Sequence, residues 1–214
     1  MDINNFFDQD ECKIFNFGPL LFKAKLSQQV IDKFLDLGNC SNIEFKDNLA
    51  NVLYEEKNYS LEDKQTLLEM MTPMLQQYRN VRDQWYGLEE TSGEVLELED
   101  LWINYMKSGD YFPYHDHSSD IGFVIFLKVP PELKAEHDEF KMKSKFPGPG
   151  SLDFMSGLRR SQFITGKNFF PEEGDIFIFP GGLYHSVTSF KSDVMRISVS
   201  GNFNVKKMLP NSNQ

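Results

Sequence analysis

The second half of the chain is a series of short apolar segments separated by turns, and this pattern restricts the fold most strongly. From Leu96 onward the segments read LEDLWINYMK, IGFVIFLKV, SLDFM, QFITG, GDIFIFP, LYHSVTSF and VMRISVSGNF. Short strands at such regular spacing, after a helical section, predict a β-sandwich or barrel that is backed by helices. We therefore expect an α+β fold that is mainly β.

The first half of the chain carries helical patterns instead. The segment LSQQVIDKFLDLG offers Ser27 as an N-cap and Gly38 as a stop signal, and a second helical pattern runs from Ser60 to about Trp85. A chain of 214 residues is most simply one domain. The expected organisation is a single domain 1–214 with a helical support region at 1–95, a β core at 96–204 and a loose tail at 205–214.

Composition and charge argue against several classes of protein. The segment MDINNFFDQDECK is polar and acidic, unlike a signal peptide, and the apolar stretch from Ile121 to Leu127 is too short to cross a bilayer. The net charge of −10 argues against general nucleic-acid binding, because neutralising phosphates requires clustered Lys and Arg. We expect a cytoplasmic protein in which Cys12 and Cys40 are reduced thiols.

Two of the four histidines lie together directly before the most apolar segment, in DYFPYHDHSSDIGFVIFLKV. Alternate side chains of a strand face the same side, so His115 and His117 converge. His185 follows the glycine turn of FPGGLYHSV and is the third candidate ligand. Two imidazoles and one carboxylate on one face are typical of non-haem iron(II) oxygenases, and the nearby carboxylates are Asp116 and Asp120.

The competing interpretation of His115 and His117 is an exposed position in a loop. The cluster itself, its place at the start of a strand and the pattern around His185 favour a metal site. The fourth histidine, His137, lies in the acidic segment AEHDEF and is expected to be exposed.

Arg196 is a lone charge in the apolar segment VMRISVSGNF. A charge beside a core is costly unless it is paired, and a carboxylate ligand would pair with the guanidinium bidentately. The hydroxyl of Ser198, two positions on, is a second donor on the same face. The competing interpretation is a salt bridge to Asp193 or Asp175. Beside a metal site, Arg196 predicts an anionic cosubstrate held between the metal and the guanidinium.

The polar segment at residues 130–150, PPELKAEHDEFKMKSKFPGPG, is expected to be a long loop. Such loops often form lids or substrate-binding surfaces, and the segment GLRRSQFITGKN is a second candidate cover for the primary substrate. The two segments are locally basic, which fits an acidic substrate or a solvated surface, through Lys141, Lys143, Lys145, Arg159, Arg160 and Lys167.

These motifs together resemble the iron(II)- and 2-oxoglutarate-dependent dioxygenases. NYMKSGDYFPYHDH is similar to the approach to the first metal motif in the prolyl-hydroxylase branch, where an Asn-Tyr pair, a Gly, an aromatic residue and a Pro lead to His-x-Asp. GDIFIFPGGLYHSV is similar to the approach to the distal histidine, and MRISVSGNF to the Arg-x-Ser cosubstrate anchor. The combination also resembles oxygenases carried by marine bacteriophages. The resemblance covers about residues 96–204.

The resemblance implies a double-stranded β-helix, the jelly-roll or cupin-like barrel, and roles for individual residues. His115 would be the first metal ligand and His185 the distal one. Arg196 would bind the C5 carboxylate of 2-oxoglutarate with help from Ser198, and Tyr105 matches a tyrosine that hydrogen-bonds the same carboxylate. Core packing is the competing role for Tyr105.

The chain departs from the family pattern at the carboxylate ligand, because His117 stands where an Asp is expected. Either the three ligands are all histidines, or Asp116 or Asp120 reaches the metal. An all-histidine site carries more positive charge than one with a carboxylate, which affects iron affinity and oxygen activation.

The resemblance implies an enzyme that uses Fe(II), 2-oxoglutarate and O2, with ascorbate as an optional addition, and releases succinate and CO2. A protein or peptide side chain such as proline is the expected primary substrate, and a phage-encoded protein would act in the host cytoplasm. Two alternatives are a three-histidine cupin-like dioxygenase that does not use 2-oxoglutarate, acting for example on a thiol, and a non-catalytic metal-binding β-barrel protein.

Overall fold

The computed structural model describes residues 18–45, 53–88, 94–157 and 166–207. The helices in this part of the chain are α1 (Gln28–Cys40), α2 (Leu61–Tyr86) and α3 (Pro131–Lys143). The strands are β1 (Phe22–Lys25), β2 (Ile43–Glu44), β3 (Glu55–Asn58), β4 (Glu94–Met106), β5 (Phe112–His115), β6 (Ile121–Lys128), β7 (Leu152–Met155), β8 (Gly166–Phe169), β9 (Asp175–Pro180), β10 (Tyr184–Val187) and β11 (Arg196–Lys207).

Both helices predicted in the first half are present. Helix α1 begins directly after Ser27, as the sequence predicts, and α2 begins after Ser60, whose Oγ accepts a hydrogen bond from the N–H of Asp63 at 3.1 Å. Helix α2 ends where Gly87 adopts a left-handed conformation with φ of 61°. Capping chemistry therefore sets the boundaries of α2, whereas the side chain of Ser27 makes no capping hydrogen bond and α1 continues through Gly38, the predicted stop, to Cys40.

The strands form two antiparallel sheets. The larger has seven strands in the order β1-β9-β6-β11-β4-β3-β2, and the smaller has four in the order β5-β10-β7-β8. The prediction of a mainly β fold with helices is confirmed. The N-terminal region also supplies the two edge strands of the larger sheet, because β1 pairs with β9, and β2 pairs with β3, which in turn pairs with β4.

The larger sheet is buried on both faces. On one face, residues such as Ile103, Ile125 and Val199 pack with Phe34 of α1 and Leu67 of α2. On the other face, aromatic residues meet the smaller sheet in a second cluster, whose members include Phe126, Phe154, Phe177, Phe179 and Leu152. Burial of each large apolar side chain stabilises the fold by about 1.5 to 3 kcal/mol. The side chains between the two sheets surround the candidate site.

The segment at residues 130–150 is not the predicted loop, because α3 occupies most of it. Pro131 stands at the start of the helix, where a missing N–H costs nothing. Leu133 and His137, four residues apart and hence on one helical face, are both buried. The prediction of an exposed His137 is therefore wrong: its side chain is 7% exposed and its Nδ1 lies 3.0 Å from the carbonyl oxygen of Pro149.

The last described strand also extends further than the sequence predicts. Strand β11 continues to Lys207, so the predicted start of the loose tail at Val205 lies inside the sheet. Val205 pairs with Leu96, and its N–H donates to the carboxylate of Asp120 at 2.7 Å. Residues 208–214 lie outside the described part of the chain. Among the described helices, none is long and apolar enough to cross a membrane.

Candidate metal and cosubstrate site

Three histidines converge at one end of the space between the sheets. Strand β5 ends at His115, and β10, its antiparallel neighbour, places His185 directly opposite. His117 lies two residues beyond His115. One ring nitrogen from each of the three lies within 4.8 Å of the others, and within the described residues this is the group of His, Cys, Asp or Glu side chains that is arranged to hold a metal ion.

Backbone carbonyls orient two of the three rings. The Nδ1 atoms of His115 and His185 lie 2.8 and 2.9 Å from the carbonyl oxygens of Pro113 and Leu183. A carbonyl oxygen only accepts, so each Nδ1 carries the hydrogen and each Nε2 keeps its lone pair. This tautomer leaves Nε2 free to bind a metal, and the hydrogen bond fixes the direction of its lone pair.

A glycine turn positions the third ring. The N–H of His117 donates to the carbonyl of Gly181 at 2.9 Å, and the N–H of Gly181 donates to the carbonyl of Asp120 at 2.9 Å. A Cβ at Gly181 would lie 1.9 Å from the carbonyl oxygen of Ser119, so only glycine permits this approach. The ring of His117 lies beside Gly122, where a Cβ would come within 3.2 Å of its Cδ2.

The spacing of the rings fits a divalent ion. The Nε2 atoms of His117 and His185 are 3.3 Å apart. Two nitrogens that each lie about 2.1 Å from one ion, at tetrahedral to octahedral angles, are about 3.0 to 3.4 Å apart. Imidazole suits iron, zinc, copper and nickel. The donor set therefore fits a first-row divalent metal and does not by itself select iron.

Burial keeps the rings of His117 and His185 neutral. Burial, with a smaller contribution from His115, lowers the pKa of His117 to about 4. Burial is also the main cause that lowers the pKa of His185 to about 3, and the neighbouring histidines add to it. A protonated imidazole cannot bind a metal, so both rings are in the binding form at neutral pH.

Neither alternative carboxylate lies in the cluster. Asp120 turns away from it, because its carboxylate accepts the N–H of Val205 from the neighbouring strand. The side chain of Asp116 is exposed. Of the three candidates that the sequence leaves open for the third ligand, the structure therefore brings His117 to the site.

Arg196 lies at the other end of the space between the sheets, and it is buried without an acidic partner among the described residues. Its side chain is 1% exposed. One Nη donates to the carbonyl of Gly150 at 3.1 Å, the other contacts the sulfur of Met106 at 2.9 Å, and the guanidinium carbon lies 5.3 Å from the centre of the Phe126 ring. Its Nε has no hydrogen-bond partner among the described residues. Burial lowers the pKa of the guanidinium to about 10, so it remains charged at neutral pH.

The salt bridges considered for Arg196 are not formed. Asp175 pairs with Lys23 at 2.9 Å and with Lys25 at 3.5 Å, and Asp193 is exposed. Ser198 lies on the same face of β11 as Arg196 and lines the same cavity. The structure thus shows no acidic partner for the buried guanidinium among the described residues, and its binding of an anionic cosubstrate stays a prediction.

Tyr105 does not belong to the site. It pairs with Ile197 and belongs to the cluster on the helix-facing side of the larger sheet. Its hydroxyl donates to the side-chain oxygen of Asn39 at 2.8 Å. The register of β4 against β11 places Asn104 and Met106 opposite Ser198 and Arg196. The expected contact of Tyr105 with a cosubstrate is therefore wrong, and the competing role in core packing is the one observed.

The cavity that joins the two ends has an apolar wall and a polar wall. The apolar wall includes Phe112, Phe126, Leu152, Phe179 and Val187. The polar wall is formed by Trp102, Ser198 and Ser200 between the histidines and Arg196. The cavity contains about 30 Å³ of free space.

Sequence reasoning missed Trp102 and Ser200 in this wall. The sequence pattern that places Trp102 on the same side as Met106 is the alternation in β4, because Trp102, Asn104 and Met106 occupy every second position and share one face. Sequence reasoning also missed the supporting role of α3. Its His137 holds Pro149, next to the Gly150 carbonyl that accepts from Arg196.

Two of the basic residues predicted around the insertion have partners on or beside α3. Lys143 pairs with Glu139 at 2.6 Å, and Lys141 donates to the carbonyl of Phe146 at 3.0 Å. Lys145 and Lys167 are exposed. Arg159 and Arg160 lie outside the described residues.

Comparison with known proteins identifies the family to which this site is related. Residues 100–202, just under half of the chain, match the family model described as "Putative 2OG-Fe(II) oxygenase", where 2OG is 2-oxoglutarate. The resemblance to iron(II)- and 2-oxoglutarate-dependent oxygenases is confirmed. The matched stretch contains all three clustered histidines and Arg196. No curated protein matches the chain by sequence.

Solved structures of 2-oxoglutarate oxygenases share the fold at low sequence identity. A viral collagen prolyl hydroxylase from Paramecium Bursaria Chlorella virus-1, solved with 2-oxoglutarate, is 12% identical with a TM-score of 0.51, over 86% of this chain and 94% of that one. A Trichoplax adhaerens prolyl hydroxylase, solved with a peptide fragment of hypoxia inducible factor, is 8% identical with a TM-score of 0.57, over 87% and 83%. HygX from Streptomyces hygroscopicus, solved with nickel and 2-oxoglutarate, is 11% identical with a TM-score of 0.55, over 88% and 83%.

Proposed function

We propose that this chain is an iron(II)- and 2-oxoglutarate-dependent oxygenase whose metal is held by His115, His117 and His185. The observation that carries the proposal is that one cavity contains both the three converging histidines and a buried, charged Arg196 without an acidic partner among the described residues. A buried charge of this kind is costly unless a ligand pairs with it. A dicarboxylate that reaches from the metal to the guanidinium satisfies both ends.

The side chains have separate tasks in this proposal. The histidines hold the metal on one face and leave its other positions open to ligands. Arg196 and Ser198 bind and orient the far carboxylate of 2-oxoglutarate, and the phenylalanines of the apolar wall exclude water. The bound metal, with 2-oxoglutarate and O2, supplies the oxidising chemistry that releases succinate and CO2 and hydroxylates the primary substrate.

The proposed primary substrate is a protein or peptide side chain such as proline. Its support is the fold shared with prolyl hydroxylases, one of which was solved with a peptide. We also propose that the two sheets form the double-stranded β-helix of these enzymes, within one domain that spans the chain. The facing sheets and the aromatic cluster between them support this arrangement.

Anaerobic addition of 2-oxoglutarate to the iron(II) protein tests the proposal. We expect a weak visible charge-transfer band that saturates with 2-oxoglutarate and is lost in Arg196→Ala, and succinate formation once O2 is admitted. The control is Lys191→Ala, which removes an exposed cation on the loop before β11. An iron-loaded protein that shows no band at millimolar 2-oxoglutarate contradicts the proposal. Oxygen consumption without 2-oxoglutarate would instead indicate a three-histidine dioxygenase of another kind.

A further inference from the structure

The polar wall of the cavity contains a buried hydrogen-bond donor that no part of the described chain satisfies. The indole of Trp102 is 3% exposed and lines the cavity, and its Nε1 has no acceptor. A stacked contact with Phe45, with ring centres 4.5 Å apart and planes within 3°, restrains the ring. An unpaired buried N–H costs free energy, so a ligand with an oxygen acceptor is favoured at this position.

Ser200 supplies a second donor beside the indole. It is the cross-strand partner of Trp102, so the two side chains share one face at neighbouring positions. The Oγ of Ser200 accepts a hydrogen bond from the side-chain amide of Asn104 at 3.0 Å. Its own hydroxyl hydrogen is thereby left to donate into the cavity. Trp102 and Ser200 thus form a pair of neighbouring donors.

The position of this pair separates it from the carboxylate anchor. Ser200 and Arg196 are four residues apart along β11, which is about 13 Å at roughly 3.3 Å per residue. Ser200 pairs with Val124 of β6. Two positions before Val124 in the same strand is Gly122, and Gly122 lies beside the ring of His117. The donor pair therefore belongs to the histidine end, whereas a dicarboxylate that runs from the metal to Arg196 passes Ser198.

We propose that Trp102 and Ser200 form a subsite that binds a neutral carbonyl oxygen of the primary substrate, as in an amide. Both donors are uncharged. Arg196, the charged side chain of the cavity, lies at the far end. The two carboxylates of 2-oxoglutarate pair with the metal and with Arg196, so a carboxylate at the donor pair would be buried beside two uncharged donors, which do not offset the cost of removing its charge from water. An amide carbonyl accepts two hydrogen bonds without that cost. As a substrate subsite, this rests on the proposed function.

Two isosteric probes, acetamide and acetate, test the proposal by NMR. The chain has two tryptophans, so protein labelled with 15N at the indole gives two Nε1–H signals, which Trp85→Phe assigns. Trp85 serves as an internal control, because its Nε1 already donates to the carbonyl of Gly18 at 3.3 Å. The protein is loaded with Zn(II) as a diamagnetic metal and saturated with 2-oxoglutarate, which occupies Arg196.

We expect acetamide to move the Trp102 signal downfield and saturably, acetate to have little effect, and the Trp85 signal to stay in place. Ser200→Ala should weaken acetamide binding about five- to tenfold, the loss expected for one hydrogen bond. Ser108→Ala is the matched control, because that hydroxyl is exposed and donates to the carbonyl of Lys191. It should bind acetamide as the unmodified protein does.

Three results would overturn the proposal: no Trp102 shift at molar acetamide, an equal response to acetate, or a shift produced fully by 2-oxoglutarate alone. The last result would assign the pair to the cosubstrate. The charge-transfer band of the iron(II) protein reports 2-oxoglutarate binding separately. If acetamide binds at Trp102 while that band is absent, the proposed function fails and the carbonyl subsite stands.

Discussion

At one end of the cavity, backbone groups hold the three histidines, whereas at the other end a single charged side chain is held by weak contacts. His115 and His185 face each other across paired strands, and His117 is fixed by the carbonyl of Gly181. Arg196 has one carbonyl, one sulfur and one aromatic ring as neighbours. Backbone hydrogen bonds and strand pairing thus fix the histidine end, whereas the guanidinium at the arginine end has no acidic partner among the described residues.

The two ends also differ in their effect on stability. Burial lowers the pKa of His117 and of His185, and a neutral imidazole that donates to a carbonyl, as His185 does, costs little to bury. The buried guanidinium stays charged, and a charge without an ionic partner destabilises the folded state. This difference suggests that Arg196 is retained for ligand binding rather than for stability, and four predictions follow from it.

Replacing Arg196 with Met should lower the affinity for 2-oxoglutarate without lowering the free energy of unfolding. We expect 2-oxoglutarate affinity to fall about 100- to 1,000-fold, since removing the charged partner of a buried carboxylate costs roughly 3 to 4 kcal/mol. Iron affinity should stay within about threefold, because no histidine contact changes. The free energy of unfolding should be unchanged or higher, since the buried charge is gone. Charge-transfer titration and urea unfolding measure these effects, and a large loss of stability would show that Arg196 is a structural residue.

Gly181→Ala should damage the histidine end alone. A Cβ at this position meets the Ser119 carbonyl at 1.9 Å, so the turn must move and take His117 with it. We expect iron affinity to fall about 10- to 100-fold, as for other changes that disturb ligand orientation. Gly182→Ala is the matched control, because nothing lies within 4 Å of its Cβ position. Metal titration of both variants measures this loss. Equal iron affinities of the Gly181→Ala and Gly182→Ala variants would mean that the turn does not position His117.

Acid should weaken the metal-free protein through the histidine end. The folded-state pKa values of about 4 for His117 and about 3 for His185 lie below the usual 6.5, so the unfolded state binds more protons as pH falls. Stability from these groups is complete above pH 6.5 and is lost below it, on the order of 2 kcal/mol for each group by pH 5.

Urea unfolding at pH 7 and pH 5 measures this loss. His117→Gln should reduce the pH dependence, whereas Arg196→Met should leave it unchanged, because the guanidinium is charged at both pH values. If the unfolding free energy of the unmodified, metal-free protein is the same at both pH values, the two imidazoles are not held neutral by burial.

Changes in α3 should have the smallest effect and should act on the arginine end. The carboxylate of Glu136 accepts from the N–H groups of Lys191 and Ser192 in the loop before β11. His137 holds Pro149, beside the carbonyl that meets Arg196. His137→Phe or Glu136→Gln should lower 2-oxoglutarate affinity about three- to fivefold, the effect of one hydrogen bond acting indirectly.

The control for α3 is Glu139→Gln, which breaks an exposed pair with Lys143 and should leave 2-oxoglutarate affinity unchanged. Iron affinity should be the same in all three variants. A parallel loss of iron affinity in the His137 or Glu136 variant would show that α3 supports the whole cavity rather than the arginine end.

Local patterns made part of this structure predictable. Ser27 and Ser60 both stand directly before a helix, and Ser60 caps its helix through a hydrogen bond that its side chain accepts from the N–H of Asp63. The i, i+2 spacing of His115 and His117 predicts their convergence through a strand period of two, but β5 ends at His115, and His117 reaches the cluster through its hydrogen bond to the carbonyl of Gly181. Helix α3 was missed because only two of its residues, Leu133 and His137, are buried, which leaves almost no apolar stripe to detect.

The amino-acid sequence by itself determined which chemical groups are present and at what local spacing: a histidine pair, a third histidine after a glycine turn, and an arginine two positions before a serine. Only the tertiary structure decided that His117 rather than Asp116 or Asp120 joins the cluster, that Tyr105 faces the helices, and that Trp102 faces the cavity. The physical reason is that these outcomes depend on strand register and on contacts between residues distant in the chain, such as His117 and His185. Local periodicity does not encode such contacts.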